Sequence, residues 1–196
     1  MLDNGYHDVP ADKLVTVVTH LQMLEKPEPR GEAKGPWTLR RVEMIDLEAY
    51  RDIQRKIGAE WLWASRLEMT DEELASNVHA QDVELHLLEV GGLVEGIAEL
   101  DFRKSGECEM AFFGVSSALM GTGAGRWLMN RAIDLSWSNP IERFWLHTCT
   151  LDSPQALPFY TRSGFTPFRR QVEVFDDPRL KGNVPRTAAP QLPILV

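Results

Sequence analysis

A glycine-rich turn between a strand pattern and a helix pattern is the segment of this sequence whose spacing best predicts a ligand. Three glycines alternate with other residues over positions 121–125 and lead directly into Arg126. Glycine lets the backbone approach a ligand closely, and the free N–H groups and positive dipole end of a helix N-terminus bind anions. The ligand that this arrangement predicts is a pyrophosphate.

Two common phosphate-binding motifs fit this turn poorly. A dinucleotide fold needs Gly-x-Gly-x-x-Gly early in a parallel βαβ unit, whereas these glycines are spaced Gly-x-Gly-x-Gly and follow an antiparallel-looking meander. A P-loop needs Gly-Lys-Ser/Thr at the helix start, whereas this chain has Gly125-Arg126-Trp127. Both motifs are therefore disfavoured.

Three predicted antiparallel strands lead into the turn, and an amphipathic helix follows it. The alternation of apolar residues, the turn residues and the helix caps predict strands at 15–23, 37–42, 83–90, 93–103, 107–115, 143–149 and 168–175. The competing interpretation of the first is a helix that starts near Pro10. Helices are predicted at 47–57 after an Asp46 N-cap, from a Thr70–Glu73 capping box to about 78, from Arg126 to the stop at Asn139-Pro140, and at 153–162. The order predicts an α/β protein of the α+β kind.

Length and composition predict one domain with a proper core. The chain has 196 residues, 43% of them hydrophobic, and a net charge of −8. We expect an N-terminal extension and linker at 1–36, a core at 37–175 and a proline-rich tail at 176–196. The acidic charge argues against nucleic acid as a partner. No secretory signal or membrane-spanning run is visible, so we expect a cytoplasmic protein. Two cysteines do not suggest a disulfide framework.

Two motifs at the proper separation resemble the GCN5-related N-acetyltransferase (GNAT) family. Residues 115–128 resemble the acetyl-CoA signature Arg/Gln-x-x-Gly-x-Gly/Ala, with Gly123 and Gly125 in its two small-residue places. Residues 156–165 resemble the later Ala-x-x-Phe/Leu-Tyr-x-x-x-Gly-Phe segment. With the order of elements, the resemblance covers roughly 37–175. It implies the GNAT fold, a mixed and mostly antiparallel central sheet with helices on both faces.

The sequence departs from the family pattern at four positions. Met120 replaces the usual Arg or Gln, Ser117 a common Pro, and Ser153 a frequent Asn, while Pro158 lies in the late helix. Pro is tolerated in the first turns of a helix. The pyrophosphate site consists mainly of backbone, so the coenzyme assignment does not depend on the side chain at 120.

The resemblance implies acetyl-CoA as co-substrate and no metal. Backbone N–H groups of the glycine turn would bind the pyrophosphate, and the exposed edge of 113–115 would pair with the pantetheine amides like an added strand. The expected coenzyme-binding residues are Phe113, Gly114, Val115, Met120, Gly121, Thr122, Gly123, Ala124, Gly125 and Arg126.

Acetyl transfer also needs a proton donor for the leaving thiolate and a base for the ammonium. By resemblance Tyr160 is the donor. Glu109, on the strand that flanks the cleft, is the candidate base, acting directly or through water; Glu99 or a water held by backbone carbonyls is the alternative. Two further groups of residues are open to interpretation. Cys149 and His147 share a strand face; a Cys–His pair can be nucleophilic, but packing is the more ordinary role of the thiol, and His147 is more plausible as an acceptor-site or proton-relay residue. Trp61 and Trp63, with Arg66, could cap the acceptor side or simply fill the core.

Three functions follow as hypotheses. The first is an acetyl-CoA-dependent N-acetyltransferase that acts by direct attack of an amine in a ternary complex. The second is a non-catalytic acyl-CoA-binding or regulatory domain, and the third is a nucleotide-binding module unrelated to coenzyme A. For the first, the acceptor is a small-molecule or peptide amine of unspecified identity. We expect no membrane partner, and a homodimer is possible.

Overall fold

The computed structural model describes residues 3–195. Strands rich in β-branched and other apolar residues form one sheet at the centre of the protein. Within that range the sheet has seven strands in the order β2-β3-β4-β5-β6-β1-β7. The strands are β1 Lys13–Met23, β2 Trp37–Val42, β3 Val83–Val90, β4 Leu93–Asp101, β5 Glu107–Val115, β6 Arg143–Cys149 and β7 Thr166–Asp176. The helices are α1 Leu47–Gly58, α2 Asp71–Val78, α3 Ala124–Trp137, α4 Ala156–Arg162 and α5 Pro178–Lys181.

Local capping signals set the helix ends as the sequence predicts. The Asp46 carboxylate accepts a hydrogen bond from the Ala49 N–H at the start of α1. Thr70 and Glu73 form a reciprocal capping box at the start of α2. Helix α4 ends before Gly164, which has a φ of +105°, a backbone conformation that favours glycine.

Two hydrophobic cores lie on opposite faces of the sheet. Helices α1 and α2 bury Tyr50, Ile53 and Leu74 against β3 and β4 on one face. Helix α3 buries Leu128 and Met129 against β4, β5 and β6 on the other. Burial of these side chains stabilises the fold by roughly 1.5–3 kcal/mol each. The predicted fold class, a mostly antiparallel mixed sheet with helices on both faces, is confirmed.

Strands β5 and β6 are parallel neighbours that separate after a short contact. They pair only from Glu107–Arg143 to Glu109–Trp145, although both strands continue beyond these residues. The register between β4 and β5 also shifts, because Glu99 pairs with Phe112 while Leu100 pairs with Met110. A bulge of this kind bends the strand locally. The unpaired backbone edge of β5 beyond Glu109 therefore faces an opening in the sheet.

Strand β1 lies inside the sheet, antiparallel to both β6 and β7. The strand predicted at 15–23 is thus present, and the helix considered as its alternative is not. The division of the chain at residue 37 remains a prediction. Within the segment 1–36, the structure shows that β1 is an interior strand of the sheet.

The segment after β7 packs beside the start of β1 and the end of β6. A buried ion pair joins Asp177 to Arg179, whose guanidinium also donates to backbone carbonyls of residues 188–192. Val184 and Ala189 are buried against Leu14 and Leu151.

Among the helices of residues 3–195, none has both the length and the apolar character that a bilayer crossing requires.

Candidate active site

A cavity of about 450 Å³ opens where β5 and β6 separate and extends over the start of α3. Eight of the ten residues that the sequence assigns to the coenzyme line it: Phe113, Gly114, Val115, Met120, Gly121, Gly123, Gly125 and Arg126. Thr122 and Ala124 do not line it. The Thr122 hydroxyl donates to the Leu119 carbonyl at 2.7 Å, and Ala124 is buried in the core beneath α3.

The glycine turn exposes backbone donors to this cavity. Gly121 and Gly123 have φ values of +75° and +97°, which glycine adopts at little cost. Within residues 3–195, the N–H groups of Gly123, Gly125 and Arg126 donate to no carbonyl or side chain. A Cβ at Gly125 would meet nothing within 4 Å. The turn therefore offers free N–H groups at a helix N-terminus beside open space, which suits a phosphate group.

A second cavity of about 440 Å³ lies on the other side of the same opening. Its walls come from the 61–66 segment, β5, β6, β1 and β7. Five side chains line both cavities and form their common wall: Trp61, Trp63, Phe113, Asp152 and Tyr160. A reaction between a ligand in one cavity and a ligand in the other would take place at this wall.

Tyr160 is held in the common wall by aromatic packing. Its ring lies 6.2 Å from the ring of Phe113 and 6.2 Å from that of Phe165, both edge-on, and 5.6 Å from that of Phe159. Burial, and secondarily the Asp152 carboxylate, raise the pKa of the phenol. Tyr160 therefore keeps its proton throughout the ordinary pH range, as a proton donor must, and the same shift makes it a weaker acid than a free phenol.

Glu109 lines the second cavity and faces His147 from the neighbouring strand. The Glu109 Oε1 and His147 Nδ1 atoms are 3.6 Å apart, and the two side chains are 28% and 47% exposed. The Glu109 carboxylate raises the pKa of the His147 imidazole against the opposing effect of burial. Glu109 and His147 line this cavity together with Tyr160. The acid and the base that the sequence predicts therefore lie around one space.

Glu99 is placed differently. It is 1% exposed and does not line either cavity. Its carboxylate accepts from Arg66 at 2.6 Å and from the Tyr50 hydroxyl at 2.6 Å, and Gln54 donates to that hydroxyl at 2.8 Å. Both carboxylate oxygens are occupied, so the geometry gives no support to Glu99 as the base.

The ion pair with Glu99 holds Arg66 in the wall of the second cavity. The Arg66 guanidinium lies 5.2 Å above the Phe112 ring, a distance typical of a cation–π contact. Trp63 packs edge-on against the same ring at 5.7 Å and donates its indole N–H to Asp152 at 2.9 Å. The aromatic residues of this region, which the sequence left between core and site, thus serve as the walls of the cavity.

Cys149 lines the same cavity, and burial raises the pKa of its thiol. A raised pKa lowers the fraction of thiolate, the nucleophilic form, so a covalent role for this cysteine has no support. In the part of the chain from 3 to 195, no group of three or more His, Cys, Asp or Glu side chains is arranged to hold a metal ion.

Three residues of these cavities were not found from the sequence. Asp152 is fixed by hydrogen bonds from Trp63, from the Thr148 hydroxyl at 2.6 Å and from the Cys149 N–H at 2.9 Å. Arg30 and Arg162 line the cavity over α3. For Asp152, its position directly after a strand and before a helix is a usable signal. For the two arginines, which lie far apart in the chain, we see none.

Comparison with known proteins gives the family directly. The model of the acetyltransferase (GNAT) family matches residues 47–165, more than half of the chain and both motifs described above. Among functionally curated proteins, no sequence matches the chain significantly.

Solved structures show the same fold at low identity. A GCN5-related N-acetyltransferase from Sphaerobacter thermophilus has a TM-score of 0.61 at 14% identity, over 83% of this chain and 52% of that one. A conserved protein of unknown function from Staphylococcus epidermidis has a TM-score of 0.55 at 14% identity, over 84% and 63%. This chain thus spans about half to two thirds of the length of these two proteins.

A third similar structure is matched over nearly its whole length. The ribosomal-protein-S18-alanine N-acetyltransferase from Escherichia coli has a TM-score of 0.56 at 17% identity, over 72% of this chain and 94% of that one. Identities this low show the fold alone, whereas the family model matches the sequence itself. The chain belongs to the GNAT acetyltransferase family.

Proposed function

We propose that this protein is an acetyl-CoA-dependent N-acetyltransferase that transfers the acetyl group directly to a primary amine. Acetyl transfer from an acyl-coenzyme A is the general activity of the family. The observation that carries the specific proposal is the position of Tyr160 in the wall shared by two cavities. One cavity has the features of a coenzyme site, and the other has those of an amine site.

Coenzyme binding is supported by the cavity over α3. The pyrophosphate would accept from the free N–H groups of Gly123, Gly125 and Arg126. The pantetheine arm would run through the opening between β5 and β6 and pair with the free edge of β5 at 113–115. This path ends at Phe113 and Tyr160, which places the thioester at the common wall.

The proton transfers would use one group on each side of the reacting carbon. Glu109 takes a proton from the ammonium, directly or through a water, and the free amine attacks the thioester carbonyl. As the carbon–sulfur bond breaks, Tyr160 donates its proton to the departing sulfur, and the second proton that the attacking nitrogen loses returns to the tyrosinate, directly or through water. A phenol, with an ordinary pKa of about 10, is a weaker acid than a thiol of pKa about 8.5, and burial weakens it further, so the transfer depends on contact between the two groups as charge develops on the sulfur. The products are the acetylated amine and coenzyme A.

The acceptor cavity favours a cation. Six carboxylates and two arginines line it: Glu68, Asp101, Glu109, Asp152, Glu173 and Asp176, with Arg66 and Arg103. Several of these carboxylates are paired, but the lining keeps an excess of negative charge. Such a lining attracts an amine in its ammonium form, and Trp61 and Trp63 supply aromatic rings on which a cation can lie.

The proposal is tested by an acetyl-transfer assay on a panel of amines, with release of the coenzyme thiol as the readout. The panel contains diamines, aminoglycosides, zwitterionic amino acids and peptides with free N-termini. We expect turnover with cationic amines and little with zwitterions. Gly125→Glu serves as a control, because it places a negative side chain where the pyrophosphate would bind, in space that is open in the fold.

Each outcome assigns the protein to one of the hypotheses. Turnover that is lost in Gly125→Glu supports the transferase. Calorimetric binding of acetyl-CoA without turnover on any amine would indicate the non-catalytic acyl-CoA-binding domain. Failure to bind any acyl-coenzyme A would refute both. A cytoplasmic location and a homodimer stay predictions.

A further inference from the structure

The segment that joins β1 to β2, residues 24–36, crosses the coenzyme side of the molecule, and we refer to it as the strap. Its path follows from the topology. Strand β1 lies between β6 and β7, whereas β2 forms the opposite edge of the sheet. The strap must therefore pass the opening between β5 and β6, where the cavity over α3 lies.

Several contacts fix the strap against α3 and the end of α4. The Asn130 side-chain amide donates to the Arg30 carbonyl at 2.7 Å and to Glu32 at 2.8 Å. Glu32 also accepts two hydrogen bonds from Arg131, at 2.6 and 3.0 Å. Asn130 is itself buried at 5% exposure. The backbone of the strap at Arg30 is thus held in place independently of the arginine side chain.

The Arg30 side chain enters the coenzyme cavity and meets two other arginines there. Arg30, Arg126 and Arg162 all line the cavity, and within residues 3–195 none of the three pairs with a carboxylate. Among the described residues, Arg30 donates only to the Ser163 hydroxyl, at 3.3 Å, and the buried Nε of Arg126 has no partner. Burial, and then the charges of Arg126 and Arg162, lower the pKa of Arg30. Three neighbouring cations without an anion form a site for one.

The chemistry of three guanidinium groups suits a phosphate monoester. Such a group carries a charge of about −1.5 to −2 at neutral pH and has three acceptor oxygens, and guanidinium groups bind phosphate through paired hydrogen bonds. Coenzyme A carries one phosphate of this kind, on the 3′ position of its ribose. Its pyrophosphate is a diester and is already provided for by the free N–H groups of the glycine turn.

We propose that Arg30 of the strap, with Arg162 and Arg126, binds the 3′-phosphate of the coenzyme and so makes this protein selective for 3′-phosphorylated coenzyme A. This rests on the proposed function, because it assumes that the cavity takes coenzyme A. The strap is then a part of the coenzyme site, although it lies outside the segment that matches the family model.

The test compares CoA with 3′-dephospho-CoA on wild-type protein and two variants, by calorimetry. Arg30→Gln removes the charge inside the cavity, and Lys34→Gln removes the same charge from an exposed strap position that does not line it. Loss of a hydrogen bond between charged groups weakens binding about 10- to 100-fold. We expect Arg30→Gln to weaken CoA binding by this factor and to leave 3′-dephospho-CoA binding unchanged, with Lys34→Gln like wild type.

Other results would overturn the assignment. Equal weakening of both ligands by Arg30→Gln would place the side chain at the pyrophosphate. Equal binding of both ligands by wild type would show that the 3′-phosphate is not read. Lys34→Gln behaving like Arg30→Gln would indicate a general effect of charge. All three leave the proposed function intact, whereas wild-type protein that binds neither ligand would refute that function itself. The melting temperatures of the variants, measured without ligand, confirm that each is folded.

Discussion

The carboxylate of Glu109 lies 3.6 Å from the imidazole of His147, across the two strands that separate to form the opening in the sheet. This pair links the candidate base to a group that titrates near neutral pH. Because Glu109 raises the pKa of His147, the titration of the His147 imidazole reports on the presence of the Glu109 carboxylate. The pair can therefore be followed by spectroscopy as well as by activity.

We expect Glu109→Gln to lower the pKa of His147, because the charge that favours the imidazolium is removed. An NMR titration of the histidine ring signals, with His147→Gln to assign the resonance, measures the shift. Glu107→Gln, on the same strand but outside the cavity, serves as the matched control. If the His147 pKa is the same in wild type and Glu109→Gln, the contact does not exist in solution.

The same pair makes a prediction for stability. A histidine whose pKa is raised in the folded state contributes stability below its unfolded pKa of about 6.5, and this contribution is lost as pH rises through the folded value. Wild type should therefore gain stability relative to Glu109→Gln at pH 5–6 and lose the advantage at higher pH. Urea unfolding across this range checks the sign; a difference independent of pH would contradict it.

In the transfer reaction, Glu109→Gln should slow turnover most near neutral pH. At high pH more of the amine is already neutral, since a lysine-type amine has a pKa of about 10.4, and the need for a base declines. The kcat–pH profile of the variant should thus approach that of wild type as pH rises. A profile that parallels wild type at every pH would exclude this role.

Tyr160→Phe should lower kcat about 10²–10⁴-fold, the range typical of general acid catalysis, with KM for acetyl-CoA nearly unchanged. The ring contacts with Phe113, Phe159 and Phe165 do not involve the hydroxyl, so packing is retained. Steady-state kinetics and a thermal melt measure the two effects. An unchanged kcat, with chemistry shown to limit the rate, would leave water as the proton donor.

Substitution by alanine should affect the stability of the protein differently at the two glycines Gly123 and Gly125. At Gly123 the backbone has a φ of +97° and a Cβ would lie 2.7 Å from the Cβ of Ala33, so Gly123→Ala should cost about 1–2 kcal/mol or more of stability. At Gly125 the added methyl meets only open space within α3, where alanine is favoured over glycine by up to about 1 kcal/mol. Gly125→Ala should therefore be at least as stable as wild type, and because the acetyl-CoA signature accepts Gly or Ala at this place, it should bind CoA about as well as wild type does.

These opposite effects are measured by urea unfolding and by calorimetry with CoA. The two variants are each other's control, because both add one methyl group to the same turn. If Gly125→Glu, which puts a negative side chain at the same place, binds CoA as wild type does, the pyrophosphate does not lie over the start of α3. If both variants are equally unstable, the open space beside Gly125 is not present in solution.

The buried pair of Glu99 and Arg66 gives a prediction for stability. Arg66→Met leaves a buried carboxylate with one partner fewer and should destabilise the fold by about 3–5 kcal/mol. Adding Glu99→Gln removes the uncompensated charge and should restore part of the loss. Urea unfolding of the single and double variants measures the coupling. Additive effects would show that the two side chains do not interact.

Local signals in the sequence predicted much of the fold. The Thr70–Glu73 capping box, the Gly91-Gly92 turn and the alternation in β3–β5 are determined by residues close to one another in the chain. Strand ends were less accurate: β4 ends at Asp101, before the predicted Arg103, because the Asp101 carboxylate accepts from the N–H and guanidinium of Arg103. A side chain that binds its own backbone two residues away ends the strand.

Features that depend on distant residues were not predictable. Alternation in 15–23 predicted a strand, but no local pattern tells which strands it pairs with. Glu99 reads as a strand carboxylate until Tyr50 and Arg66 are seen to enclose it. Arg30 lies in a segment whose prolines and glycines indicate a linker. Its neighbours in the cavity come from much later in the chain: Arg126 lies in the first turn of α3, and Arg162 is the last residue of α4.

The interior position of β1 has a consequence for the order of folding. Strands β2 to β5 pair with neighbours in sequence and can assemble as soon as they exist. Strand β1 cannot, because Val18 pairs with Cys149 on one side and Gln171 on the other. During synthesis its apolar residues stay without partners until the later strands are made. Pairings of such long sequence separation form slowly, so closure of the β6-β1-β7 half is the expected rate-limiting step, and it is also the step that brings the strap over the coenzyme cavity.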